Sequence, residues 1–150
     1  MTPFFIMIMS SLLLRGVGRL GVGYLDSWRA AVCASLSLTF LFTGATHFSR
    51  MRHDYAAMIP RPLPKSTWLI YLTGVLEIAG AIGLLLPRLR GVARVCLIVL
   101  LVALFPANIN AALNNIAFRG QPPTALWPRA LIQIFFVAAL WWSSVRKPDS

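Results

Sequence analysis

The sequence predicts an all-α integral membrane protein that folds as a four-helix bundle. Three observations carry that prediction. The chain is 58% hydrophobic and only 12% charged, against about a quarter charged in an ordinary soluble domain. Its mean hydropathy is +0.74, so it has too little polar surface to cover a water-facing globule. Its apolar residues also fall into four runs of about twenty, the length that crosses a bilayer as a helix.

The runs can be taken in order. A first apolar stretch, Pro3 to Leu14, has about a dozen residues and is too short to span. No basic segment precedes it and no A-x-A site follows, which argues against a signal peptide. It reads as an interfacial or flexible extension over residues 1–25, with Gly16, Gly18, Gly21 and Gly23 loosening its second half. The membrane domain then covers residues 26–150. Its spans run from about Trp28 to Phe48, Ser66 to Leu86, Gly91 to as far as Phe118, and Leu126 to Val145. Pro106 predicts a kink inside the third. Trp28, Trp68, Tyr71, Trp127, Trp141 and Trp142 fall near span ends, where an aromatic belt places them.

The connections constrain the topology. Pro87 to Gly91 is so short that spans two and three must form an antiparallel hairpin. The link from Ser49 to Lys65 can form a short interfacial helix over Arg50 to Met58. It must then run extended through Pro60, Pro62 and Pro64. Pro122-Pro123 is expected to close span three.

The net charge is +10, with 14 basic residues against four acidic ones. Such a balance can indicate nucleic acid, but here the cations cluster between apolar runs, as membrane loops do beside anionic headgroups. No nucleic-acid partner is expected. With four spans, the termini side collects Arg15, Arg19, Arg29, Arg88, Arg90, Arg94, Arg146 and Lys147. The other side collects Arg50, Arg52, Arg61, Lys65, Arg119 and Arg129. The excess leans towards cytoplasmic termini.

Glu77 is the sharpest chemical signal, being the only acid within any span. An ionised side chain at the bilayer centre costs at least about 2.5–3.5 kcal/mol on insertion scales, so Glu77 should face the bundle interior. It is either a functional acid or a protonated one tying two helices together. Gly74, Glu77 and Ala81 share a helical face on which small residues admit a neighbouring helix. His47 shares a narrow face with Ser37, Phe40 and Gly44. It faces inward, or is wetted by headgroups at its span end. Asn108 lies beside the Pro106 kink, and Gln133 lies in span four. Both are polar members of an interior site or hydrogen bonds between helices.

Together these residues predict one polar pocket opening towards the proline-rich links. Glu77 forms its base, with His47, Tyr71 and Asn108 nearer the mouth. A quinone head or another small polar group would suit it. Cys33 and Cys96 are expected at a shared depth, as two core fillers or, less simply, a redox pair. The chain contains no P-loop, HExxH or Ser-His-Asp set, so no independent catalytic motif or metal site is indicated.

From Phe40 to Val145 the chain resembles the DoxX-like family of small bacterial membrane proteins. The segments that carry the resemblance are Phe42 to Phe48, Met58-Ile59-Pro60 with Leu63-Pro64, Tyr71 to Gly80, Gly83 to Pro87, and Phe105 to Ile109. The resemblance implies a four-helix protein of the bacterial cytoplasmic membrane. The family's name comes from a subunit associated with thiosulfate:quinone oxidoreduction, and some relatives are linked to redox defence. By that likeness His47, Glu77, Pro106 and Asn108 are its recurring polar and kink positions; Gly44 and Gly74, on the faces described above, are expected packing positions. The expected role is a subunit or accessory factor of a membrane redox system that binds a small ligand, with a quinone as candidate, or relays protons. The alternatives are an assembly or interaction factor for another membrane protein and, further off, a small transporter.

Overall fold

A computed structural model of the chain describes residues 2–60, 66–118, 120, 121 and 125–144. The described residues form six α-helices and one 3₁₀ turn, with no strand among them. The helices are α1 (Thr2–Arg19), α2 (Trp28–Thr46), α3 (Arg52–Met58), α4 (Thr67–Leu85), α5 (Arg90–Leu113) and α6 (Leu126–Ser144). Four of them, α2, α4, α5 and α6, are long and apolar enough to cross a membrane. Their outer faces carry exposed Val75, Ile82, Val92, Val99, Val102, Leu131 and Ile134. An apolar surface of this extent points to a membrane protein.

α2 is the central helix. Ser27 caps its start by accepting from the Ala30 N–H at 3.1 Å. Its Leu36 and Phe40 join Ala81 and Leu84 of α4, Leu97 of α5, and Phe136 and Leu140 of α6 in one core. α4 runs antiparallel to α2, with the Ser37 hydroxyl donating to the Ala81 carbonyl at 2.7 Å. The tight hairpin between α4 and α5 is present. It rests on Gly80 and Gly83, where a β-carbon would lie 2.5 Å from Leu97 Cδ2 and 2.7 Å from Ala93 Cβ.

The N-terminal segment differs from the flexible or interfacial extension expected over residues 1–25. α1 continues through Gly16 and Gly18 to Arg19 and packs lengthwise and antiparallel against α2. Met7 is 2% exposed and Ser11 is 6% exposed. Serine hydroxyls hold the contact. Ser35 donates to the Met7 carbonyl at 2.8 Å, and Ser10 and Ser11 each lie 2.8 Å from the Ser35 hydroxyl. Hydroxyl bonds of this kind join helices where lipid offers no polar partner. A reading based on spanning length does not register a helix that needs only to pack.

Two further points concern the spans and the cysteines. The third span ends at Leu113, within the expected limit of Phe118. Asn115 adopts a left-handed conformation with φ 50°, and the Ile116 N–H donates to the Ala111 carbonyl at 2.9 Å. This is a Schellman closure with asparagine in the place glycine usually takes. Cys96 is exposed on α5 and is not a core filler, whereas Cys33 is buried and donates to the Leu84 carbonyl at 3.5 Å. The two thiols occupy different surroundings and are both free. The expected extended run through Pro62 and Pro64 and the Pro122-Pro123 pair lie outside the described residues.

Candidate functional site

The site begins with a close approach of α2 and α4. A β-carbon on Gly44 would sit 2.8 Å from Ile78 Cγ1 and 3.0 Å from the Gly74 carbonyl oxygen. One on Gly74 would sit 2.7 Å from His47 Cβ. Only glycine at both positions lets the backbones meet. That approach brings His47, from the end of α2, against the middle of α4.

There His47 Nε2 lies 3.6 Å from Glu77 Oε1. His47 is 5% exposed and Glu77 is 6% exposed. The separation is an ion-pair distance and too long for a hydrogen bond. The other carboxylate oxygen, Oε2, accepts from the Thr43 hydroxyl at 2.6 Å. On the far side of the imidazole, Nδ1 lies 3.1 Å from both the Ile70 carbonyl and the Thr73 hydroxyl, and Thr73 donates to Ile70 at 2.8 Å. A carbonyl only accepts, so the tautomer with hydrogen on Nδ1 satisfies these contacts together. That leaves Nε2 facing the carboxyl group.

The imidazole face is covered by Tyr55 of α3, stacked with centroids 4.2 Å apart and planes at 11°. The Tyr55 hydroxyl lies 2.8 Å from the Thr46 hydroxyl. Thr43, Thr73 and Tyr55 were not singled out in the sequence. A signal for the two threonines was there, since Thr43 precedes His47 by four residues and Thr73 precedes Glu77 by four. Residues at that spacing lie one above the other on a helix.

The remaining predicted residues lie apart from this cluster. Tyr71 is half-buried, stacks on Phe48 at 5.4 Å, and accepts from Arg52 Nη1 at 3.0 Å. It joins α3 to α4 and does not point at the Glu77–His47 pair. Asn108 and Gln133 form a second group between α5 and α6. Asn108 Nδ2 lies 3.5 Å from Gln133 Oε1, and Asn108 Oδ1 accepts from Arg129 Nη1 at 3.3 Å. Gln133 donates to the Leu101 carbonyl at 2.9 Å. That carbonyl lies in the turn preceding Pro106, which lacks the N–H that Val102 would otherwise meet. No hydrogen bond or ion pair of Glu77 or His47 reaches Asn108 or Gln133.

The single polar pocket expected around Glu77 is therefore replaced by two separate polar contacts, because Asn108 turns towards α6 and not towards α4. A cavity of about 390 Å³ lies elsewhere, between α1, α2 and α6, with an almost wholly apolar lining.

Residues 36–144 match the family described as a domain of unknown function, DUF8561. No curated protein and no solved structure matches the chain. The matched segment runs from the middle of α2 to the end of α6 and contains both polar groups, leaving α1 outside. The chain belongs to the DUF8561 family.

Proposed function

We propose that this chain is a DoxX-like four-helix protein of the bacterial cytoplasmic membrane, with cytoplasmic termini, that serves as a subunit or accessory factor of a membrane redox system. Its working element is the Glu77–His47 pair, which exchanges a proton with a small ligand, a quinone being the candidate. One observation carries this reading: a carboxyl group and an imidazole 3.6 Å apart are buried where unpaired polar groups are costly. A quinone needs a proton for each electron it takes up, and a carboxyl–imidazole pair is a fitting donor. Asn108 and Gln133 serve the α5–α6 contact.

The test compares wild type, Glu77→Gln and His47→Ala in native membranes, reading quinone reduction and binding of a short-chain quinone. Both variants are expected to keep the helical fold and to lose at least about tenfold in proton-coupled turnover. Wild-type behaviour of both, with the fold intact, sinks the proposal.

A second reading is an assembly or interaction factor in which the pair is structural. It is favoured by the completeness of the local bonding, with Thr43, Thr73 and the Ile70 carbonyl occupying the pair's polar atoms. Co-purification in mild detergent with one stoichiometric membrane partner, and no quinone bound, would select it.

A further inference from the structure

The groove between α1, α2 and α6 has a chemical polarity that the redox reading does not use. Its walls include Ser11 and Leu12 of α1, Trp28 and Val32 of α2, and Ala138 and Trp142 of α6. At one end an aromatic edge contact, Phe4 on Phe135 at 5.1 Å, joins α1 to α6. At the other end stand the two tryptophans, each with an arginine over its ring. Arg15 lies 5.9 Å from the Trp28 centroid, and Arg29 lies 5.6 Å from that of Trp142. Leu12, Trp28 and Trp142 are exposed, so the groove opens sideways to whatever surrounds the helices.

We propose that this groove holds an acyl chain of one anionic phospholipid from the surrounding bilayer, with the phosphate between Arg15 and Arg29. Charge complementarity selects the occupant. Arg15, paired through Nη1 with Asp26 at 2.8 Å, and Arg29 flank the tryptophan end, and a phosphate is attracted to both guanidinium groups. Arg90 and Arg94 stand at the same end, Arg90 on the Tyr24 hydroxyl at 2.9 Å and Arg94 over Trp141 at 4.6 Å, so the local field is positive. Tryptophans belong at headgroup level, which puts the arginines where phosphates lie. Basic clefts between helices at the cytoplasmic face are sites for anionic headgroups.

Size selects the chain. A volume of about 390 Å³ falls within the range of small-ligand sites, roughly 300–1,000 Å³. From Phe135 to Trp142 the groove runs about 10 Å along α6. A volume and length of this order suit part of one lipid tail. The proposal rests on membrane residence and on the cytoplasmic termini proposed above, not on the quinone, and failure of the quinone test leaves it standing.

Native mass spectrometry tests it on the full chain, released from micelles containing equal phosphatidylglycerol and phosphatidylcholine. Wild type is expected to retain one phosphatidylglycerol in preference to phosphatidylcholine. Arg29→Gln, and Arg15→Gln paired with Asp26→Asn, should each lower that preference by on the order of fivefold. Ala138→Phe fills the groove and should release both lipids with every arginine in place. Ala138→Leu gives the same sign with less risk to folding, and melting curves report the fold of each variant. Arg52→Gln, at the opposite end, should leave the preference unchanged. Equal retention of the two lipids by wild type overturns the proposal. So does a folded Ala138→Phe variant that keeps the wild-type preference, since headgroup attraction alone then suffices. A wild-type dimer that Ala138→Phe dissociates, without loss of lipid, assigns the groove to a second copy instead.

Discussion

The interface between α2 and α4 and the interface between α5 and α6 both bury polar side chains, yet they are built on opposite plans. Between α2 and α4 the backbones touch at Gly44 and Gly74, and the Glu77–His47 pair is almost fully enclosed. Between α5 and α6 the contact is made by long side chains, with Asn108, Arg129 and Gln133 all part-exposed. The first holds its polar groups against near neighbours on α2 and α4. The second is joined by side-chain bonds that stay part-exposed, and α5 presents most of its surface outward. The difference teaches that a polar residue inside a membrane helix is not a site by itself. Enclosure depends on whether small residues bring the neighbouring backbone close enough.

The strongest way to break this contrast is to give the close contact a side chain. Gly74→Leu must displace His47 Cβ and the Gly44 carbonyl, and overpacking of this kind typically costs about 1–3 kcal/mol. The midpoint of denaturant or thermal unfolding in detergent should fall accordingly. Gly91→Ala is the control. A β-carbon there meets nothing within 4 Å, and alanine in a helix is favoured by about 1 kcal/mol, so the midpoint should hold or rise.

A smaller effect sharpens the comparison of the polar groups. Thr73→Val removes a hydroxyl that lies on both His47 Nδ1 and the Ile70 carbonyl, and Gln133→Leu removes the bond to the Leu101 carbonyl. Interhelical hydrogen bonds in membrane proteins average about 0.6 kcal/mol and reach about 1.7. Thr73→Val should fall nearer the upper figure and Gln133→Leu nearer the lower, read by the same unfolding curves. Equal costs would mean that enclosure does not matter. The smallest effect is expected at the outer face, where Val99→Ala, on an exposed position of α5, should stay within about 0.5 kcal/mol.

Much of the helix plan was legible in the sequence, for a local reason. Trp28, Thr67, Arg90 and Leu126 begin helices within a residue of where the apolar runs begin, because hydropathy and capping are read over short windows. The inward direction of Glu77 was also legible, since a carboxyl group facing lipid is too costly. Its pairing with His47 was not legible. That pairing needs the register of α2 on α4, which Gly44 and Gly74 set across some thirty residues of chain. Asn108 illustrates the opposite failure. Its depth in the bundle was readable from the hairpin, but its direction around the helix axis was not, and it turned towards Gln133. Cys96 was misplaced for the same reason, its run being apolar on every face.

By itself, the sequence determined four apolar helices, the tight turn between α4 and α5, and the demand that Glu77 be sheltered. Each follows from transfer free energies and steric rules acting on neighbouring residues. Only the tertiary structure decided that α1 packs against α2, that Glu77 meets His47, and that Asn108 and Gln133 stand apart. It alone placed an arginine over each tryptophan at the mouth of the apolar groove. Those outcomes depend on which helix surfaces approach closest. In an apolar solvent that choice is made by small residues and shared hydrogen bonds between distant segments, and hydropathy does not record it.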